Sequence, residues 1–402
     1  MPEESKNTGE FRKIVHLDLD AFFCAVEELH DPSLRNKPFA VGGSPNHRGV
    51  VASCSYAARK FGVRSAMPMA QAVRLCPDLV NVRHSFGNYV DYSKQVMDIL
   101  RTYSPQIQPI SIDEAFLDLS HRSESAEYQA KQIQREIRRQ LSLPSSLGVA
   151  SNKLIAKIAT NVGKASHRGD SYPNAIKLVP SGEEAAFLAP LPSVALWGVG
   201  PKTAEKLADL GLHTIGDIAS YSFNELERRF GQTGRFLHRR AQGIDNSPVH
   251  SSRETKSVSH EVTYPRDTHD ESQLRETIGR HARSISKRLR KLDLFGNTVK
   301  LKLRWSDFTT ITRQKTLAEP NDKASEIEQA ALDLLTTYWK AGRKVRLLGV
   351  GVSGLGPPSK QLGLWDWDPD SEARKEKLQA ALNDLEARFG AKTITRASKL
   401  KN

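Results

Sequence analysis

Residues 14–20, IVHLDLD, alternate apolar and polar side chains, and they run without a break into AFFCAVEELHD, whose apolar positions recur with helical spacing. Val15, Leu17 and Leu19 share one face of this predicted strand, while His16, Asp18 and Asp20 share the other. A second pair of strands is predicted over 106–112 and 115–120, with Asp113 and Glu114 between them. Successive strand residues point to opposite faces, so two adjacent carboxylates can point together only at a turn or bulge. A tight hairpin at Asp113-Glu114 is the economical arrangement. Helical patterns follow at 124–141, 152–163, 201–210 and 223–242, and a last one spans about 371–389. This mixture implies an α+β portion with added modules.

Charge separates a second region from the first. Lys and Arg number 59 against 46 Asp and Glu, a net charge of +13 over 402 residues. Within 281–315 there are ten basic residues and two acidic ones, Asp293 and Asp307. Part of that stretch (HARSISKRLRKL) has a helical pattern, and Val299–Trp305 alternates as a strand. Lys300, Lys302 and Arg304 lie on one face of that strand and Val299, Leu301, Leu303 and Trp305 on the other. A basic sheet face over an apolar one is the form expected for tracking a phosphate backbone; a merely solvated face is the plainer alternative. The stretch 243–255 (GIDNSPVHSSRET) reads as a linker. A 38% hydrophobic content excludes a wholly disordered chain, and no run approaches the length of a membrane span. No apolar stretch of signal-peptide length opens the sequence, and Cys24, Cys54 and Cys76 form neither a metal spacing nor an even disulfide set. The expectation is a cytoplasmic protein with no membrane partner.

Asp18, Asp113 and Glu114 are suited to hard divalent cations, which prefer carboxylate oxygens and share their remaining positions with water and substrate phosphates. Two such ions can activate an attacking oxygen and neutralise a departing one in phosphoryl transfer. Spacing alone leaves surface or salt-bridged roles open for these acids and for Asp20 and Asp118. Tyr56 and Arg59 sit three apart on a helical pattern, SYAARKFG, where a phenol and a forked guanidinium suit a triphosphate tail; a surface helix is the alternative. Ser53 is placed to add a hydroxyl. Lys153 and Lys157 are i,i+4 on the helix that leads to Lys164.

IVHLDLDAFFCAVEE together with SIDEAFLDLS resembles the paired signatures of Y-family DNA polymerases, the translesion class. The resemblance continues through VVASCSYAARKFGVRSAMP, GVASNKLIAKIATNVGKAS and ALWGVGPKTAEKLADLG, over about 11–245, and more loosely over 255–365. It implies a right-hand polymerase with palm, fingers and helical thumb plus a C-terminal α/β little finger domain. The implied boundaries are palm 1–20 and 83–171, fingers 21–82, thumb 172–243, linker 244–254, little finger 255–355 and a tail over 356–402. By motif position Asp18 and Asp113 ligate two magnesium ions, Glu114 completes the catalytic site, and Leu19 contributes its backbone carbonyl. Asp20 is left a structural hydrogen bond. Ser53, Tyr56, Arg59 and Lys164 hold the triphosphate, and Lys153 and Lys157 are left to DNA or solvent. Phe23 is the steric gate against a ribose 2′-hydroxyl, with Phe22 in the core. Gly198, Gly200 and Lys202 belong to a helix–hairpin–helix that takes a DNA phosphate.

The implied partners are primer–template DNA and deoxynucleoside triphosphates, and the implied state is a monomer. Gln361-Leu362-Gly363-Leu364-Trp365 resembles a sliding-clamp peptide, with packing against the little finger as the competing account. No stretch of domain size is left for a proofreading exonuclease, which implies low fidelity in translesion synthesis and repair. Two other classes share features with this reading. A non-catalytic DNA-binding protein has no reason to retain all six of Asp18, Asp113, Glu114, Tyr56, Arg59 and Lys164. A two-metal cyclase or nuclease would not call for a hairpin motif and a separate basic domain together.

Overall fold

The chain begins with strand β1 (Ile14–Leu19), helix α1 (Phe22–His30), β2 (Phe39–Gly42), β3 (Val51–Cys54), α2 (Tyr56–Lys60), α3 (Met69–Leu75) and β4 (Val80–Val82). Then come α4 (Phe86–Tyr103), β5 (Ile107–Pro109), β6 (Glu114–Asp118), α5 (Ala126–Leu141), β7 (Ser145–Ala150), α6 (Lys153–Ser166) and β8 (Ile176–Leu178). Short helices follow: α7 (Glu184–Leu188), α8 (Pro201–Ala208), α9 (Ile215–Ser220), α10 (Phe223–Phe230) and α11 (Gln232–Ala241). This computed structural model describes residues 12–169, 171–252, 254–357 and 381. They form two units, one running to 254 together with 263–266, the other comprising 255–262 and the described residues from 267 onward.

In the N-terminal unit β1 is the middle strand of a five-stranded sheet ordered β5-β6-β1-β7-β8. It is antiparallel to both neighbours, with Asp18 opposite Glu114 on one side and Ser146 on the other. Val15, Leu17 and Leu19 join a core with side chains of α1, α4 and α5. Ile14 points the other way, into a core shared with Phe116, α6 and the short helices. Both faces are covered, so the polar residues of β1 are interior ones. Gly148 makes this layer possible: a Cβ there would lie 2.0 Å from the Ala156 carbonyl oxygen, so α6 rests directly on β7. A separate three-stranded sheet, β3-β2-β4, has its own small core, and Cys24, Cys54 and Cys76 are all buried and unpaired.

The β5–β6 turn differs from expectation. It spans 110–113 rather than centring on Asp113-Glu114: Ile110 N donates to Glu114 O at 2.9 Å, so Glu114 already belongs to the ladder. Asp113 is the last turn residue, pinned by Leu19 N on its carbonyl and by Ser111 Oγ on its carboxylate at 2.6 Å. The helix expected over 223–242 is broken at Gly231, whose φ of +60° and ψ of −140° suit glycine alone among common residues.

The C-terminal unit contains β9 (Ser257–Thr268), α12 (Glu271–Lys291), β10 (Phe295–Trp305), β11 (Thr310–Asn321), α13 (Ala324–Tyr338) and β12 (Val345–Gly356). Its sheet runs β11-β10-β12-β9. Val299, Leu301, Leu303 and Trp305 are at most 2% exposed, while Lys300, Lys302 and Arg304 on the other face are half-buried. The helix directs Leu274, Ile278, Ala282, Ile285 and Leu289 inward. Its basic residues therefore face away from the sheet, and the 281–315 charge cluster is divided between two layers. The peptide Gln361–Trp365 and the helix expected at 371–389 lie outside the described residues, apart from the helical Ala381.

Candidate active site

The alternation of β1 puts His16, Asp18 and Asp20 on the face covered by α6, and cross-strand pairing adds Glu114 and Ser146 to that face. Helix α6 answers with Lys153, Lys157, Thr160 and Lys164, at i, i+4, i+7 and i+11, one stripe of a 3.6-residue helix. The pairing is direct. Lys164 Nζ lies 2.6 Å from Asp18 Oδ1 and 3.1 Å from Asp20 Oδ1, and Lys157 Nζ lies 2.6 Å from Glu114 Oε2. His16, fully buried, bonds Thr160 Oγ1 through Nδ1 at 2.9 Å and turns Nε2 toward Glu114 at 3.8 Å. The helix is fixed at its start by Asn152, whose side chain accepts from Ile155 N and donates to Gly243 O.

This arrangement sets the ionisation of the acids. Burial pushes the Asp18 carboxyl up to about 7 against the opposing pull of Lys164, with the neighbouring Glu114 and Asp113 adding to the rise. Burial acts on Glu114 in the same sense, yet the His16 and Lys157 bonds outweigh it and bring that carboxyl down to about 2. Burial lowers His16 to about 4, so its ring is neutral. Lys164 is held protonated because Asp18 and Asp20 overcome its own burial.

A cavity of about 200 Å³ opens beside the acids, lined by Asp18, Leu19, Phe23, Ser53, Arg59, Asp113 and Lys164 among others. Seven of the residues expected in the site thus share one space. Ala21, at φ +43°, makes the sharp turn from β1 that delivers Phe23 to it. The Phe23 ring is stacked on Tyr89, centroids 4.3 Å apart and planes 14° apart, and the Tyr89 hydroxyl is anchored on Glu27. Phe22 is 2% exposed and belongs to the core. Ser55 caps α2 by accepting from Ala58 N, and Arg59 reaches the cavity with its guanidinium 4.3 Å from the Tyr56 ring centroid, whereas Tyr56 itself and Glu114 are not among the lining residues.

Asp20 is fully buried and accepts from Ser146 Oγ and from Asn174 N at 3.0 Å, a structural role. Lys153 and Lys157 correct an expectation: neither is left to DNA or solvent. Lys153 is 6% exposed and donates to Gln108 Oε1 and Pro248 O, and Lys157 holds Glu114. The i, i+4, i+7, i+11 stripe was the available signal for this, since lysines that continue a helix's inward stripe need buried anionic partners. His16 and Ser65, which also lines the cavity, carried no such signal.

Other expected residues lie elsewhere. Gly200 precedes α8 as its N-cap with Pro201 at the first helical position; Gly198, at φ +105°, turns the chain before it, and Lys202 is exposed. In the C-terminal unit Lys300 and Lys302 stand opposite Gly351 and Gly349, and these glycines leave a groove on the basic face. Lys302 Nζ pairs there with Glu261, and Arg304 Nε donates to Thr310 Oγ1.

Comparison with known proteins accounts for this combination of parts. Residues 17–161 match the impB/mucB/samB family, 255–364 its C-terminal domain, and 194–245 the thumb domain of DNA polymerase-iota. The chain belongs to the impB/mucB/samB family, the Y-family DNA polymerases, and is a DNA-directed DNA polymerase. Among curated relatives it is 40% identical over 387 residues to a DNA polymerase IV of Dehalococcoides mccartyi (strain CBDB1), covering 95% of this chain and 96% of the relative. A DNA polymerase IV of Listeria innocua serovar 6a is 42% identical over 349 residues, 86% of this chain and 96% of the relative. Among solved structures, a Y-family DNA polymerase chimera is similar with a TM-score of 0.75 at 26% identity, over 86% of this chain and all of that one. An insertion ternary complex of Dbh DNA polymerase follows with a TM-score of 0.62 at 26% identity and the same coverage.

Proposed function

We propose that this polymerase extends a primer 3′-hydroxyl by phosphoryl transfer assisted by two magnesium ions bound at Asp18, Asp113, Glu114 and the Leu19 carbonyl, with low fidelity and tolerance of damaged templates. One observation carries the reading: acids and phosphate-seeking groups, from Asp18 and Asp113 to Arg59 and Lys164, line a single cavity. Among the described residues no three such ligands close on one point, and the ammonium groups of Lys157 and Lys164 stand on the carboxylates instead. That set of hard oxygen donors, with positive charge already held against it, fits divalent cations. Bound magnesium supplies the charge that activates the primer hydroxyl and neutralises the departing pyrophosphate.

The chain's own groups do the rest. Arg59, Tyr56 and Ser53 hold the triphosphate of the incoming deoxynucleotide, and Lys164 turns from Asp18 to its phosphates. The Phe23 ring, kept in place by Tyr89, excludes a 2′-hydroxyl by overlap. Besides Arg59, the wall contributed by 52–65 offers only Ala52, Ser53 and Ser65, small side chains that test the shape of a base pair weakly, which supports low fidelity and lesion bypass in DNA repair. Under this reading the five-stranded sheet and α4–α6 are the palm (1–20 and 83–171), and 21–82 the fingers. Residues 172–243 are the thumb, whose Gly198, Gly200 and Lys202 take a DNA phosphate, and after the 244–254 linker residues 255–355 are the little finger. The tail, 356–402, carries the Gln361, Leu362, Leu364 and Trp365 peptide for a sliding clamp, and the enzyme acts as a cytoplasmic monomer.

Primer extension with magnesium, on intact and lesion-bearing templates, tests the proposal. Extension of both templates is expected with deoxynucleotides and not with ribonucleotides, with Phe23→Val admitting ribonucleotides at least about a hundredfold more readily. Absence of extension on the damaged template removes the bypass role, and an unchanged sugar preference in Phe23→Val returns Phe23 to the core.

A further inference from the structure

Tyr56 is a partly buried phenol whose position depends on what surrounds its ring. Arg59 covers one face at 4.3 Å. Two further rings meet it nearly edge-on: Tyr172, with centroids 5.6 Å apart at 74°, and His167, at 6.4 Å and 87°. Both lie beyond Lys164, in the segment that joins α6 to β8. Beyond Tyr172 is a second cavity, of about 190 Å³, lined by Glu28, Arg35, Lys37, Tyr56 and Tyr172 among others. Tyr56 and Tyr172 thus both border that space, and shortening Tyr172 would widen it beside the Tyr56 ring.

The segment that carries Tyr172 is tied to the palm on its far side. Asn174 N donates to Asp20 Oδ2 at 3.0 Å, Ala175 N donates to Ser146 Oγ at 3.0 Å, and Gln134 Nε2 donates to Asn174 O at 3.1 Å. Asp20 is the same fully buried carboxylate that receives Lys164. One carboxylate thus joins the base of the metal strand, the lysine of α6 and the segment bearing Tyr172. On its near side, Ser171 Oγ lies 3.3 Å from His167 Nε2.

We propose that Tyr172, with His167, is a positioning residue for nucleotide binding: its ring braces Tyr56 in the orientation that meets the triphosphate, and Asp20 fixes the segment from which it does so. The inference rests on the assignment of Tyr56 to the triphosphate. Edge-to-face aromatic contacts are individually modest, and their loss here frees a ring to turn into an adjoining void rather than removing a ligand contact. The effect falls on ground-state binding of the nucleotide and leaves the reacting atoms alone.

The test is single-nucleotide insertion kinetics with DNA affinity measured alongside, for Tyr172→Ala, Tyr172→Phe, Tyr56→Ala and the Tyr56→Ala/Tyr172→Ala double variant. Tyr172→Ala is expected to raise KM for the deoxynucleotide about fivefold, with kcat and the DNA Kd each within about twofold of the parent. Tyr172→Phe, which keeps the ring, is expected to restore KM. In the Tyr56→Ala background, removal of Tyr172 is expected to add nothing further. An unchanged KM in Tyr172→Ala, or a full additional increase in the double variant, overturns the proposal while leaving Tyr56 in place. If Tyr56→Ala itself keeps the parental KM, the triphosphate assignment fails and the bracing role falls with it. Equal loss of kcat, KM and DNA affinity in Tyr172→Ala, with KM not restored in Tyr172→Phe, shows a general packing role and also overturns it.

Discussion

Two strands of this molecule have the same alternating sequence pattern and opposite uses for it. In β1 the polar position His16, and Asp20 just past the strand's end, are fully buried, because α6 covers that face of the sheet. In β10 the polar positions Lys300, Lys302 and Arg304 stay half-exposed, the two lysines over a groove, and only the apolar face is covered. A period of two shows that a strand has unlike faces; whether the polar face meets water or protein is decided by the next layer. Buried polar groups must be paired, so the polar face of β1 is matched residue by residue by lysines and a threonine. The polar face of β10 is only half-buried and is under less demand: Lys302 pairs with Glu261 and Arg304 with Thr310 in contacts that water still reaches.

The contrast can be broken most sharply by removing charge first beside β1, on the neighbouring β6 and its turn, and then from the face of β10. Under the proposed mechanism Glu114→Ala or Asp113→Ala should lower nucleotide insertion by about a thousandfold or more while DNA affinity stays within about twofold, since each would remove charge stabilisation at the reacting phosphate. Insertion kinetics and a DNA-binding titration on the same preparations check this; robust extension by either variant removes the acids from catalysis. The mirror experiment, Lys300→Ala/Lys302→Ala/Arg304→Ala, should weaken DNA binding about tenfold at 0.1 M salt and flatten the dependence of log Kd on log salt by about 2–3, with kcat on saturating DNA preserved. An unaltered salt slope would mark the β10 face as merely solvated.

A smaller effect separates the two units by pH. His281 on α12 is 2% exposed, its ring lies 4.8 Å from that of His260, and burial, reinforced by His260 and Arg280, lowers it to about 4. The folded value lies below the ordinary one near 6.5, so as pH falls the unfolded chain takes up the proton first and the folded unit loses stability between about pH 6.5 and 4. Denaturant unfolding followed in the C-terminal unit should show a loss of about 1–2 kcal/mol between pH 7 and pH 5 that His281→Leu abolishes. An identical pH dependence in the variant assigns the loss to other groups.

Much of the catalytic sheet was legible because its signals are local. The alternation of 14–20 and the helical run at 152–163 each read correctly to within a few residues. The 110–113 turn was placed late because hydrophobic patterning marks strands better than it marks the residues of a turn. The roles of Lys153 and Lys157 were missed for a different reason: whether a helical lysine faces a carboxylate or water depends on which sheet face the helix covers, a long-range fact. Tyr172 escaped notice likewise, since its contact with Tyr56 joins segments more than a hundred residues apart.

The bare backbone at Gly148 has a consequence for how this enzyme can change. With the Ala156 carbonyl 2.0 Å from where a Cβ would sit and Thr160 N at 2.6 Å, even one added methyl group must lift α6 from the sheet. Thr160, Lys157 and Lys164 ride on that helix, so the lift would draw both ammonium groups from their carboxylates together. A random-mutation screen for inactive polymerase should therefore recover a hit at a position that has no functional group at all, and drifting lineages can vary the chemistry around α6 more freely than the one residue on which it rests.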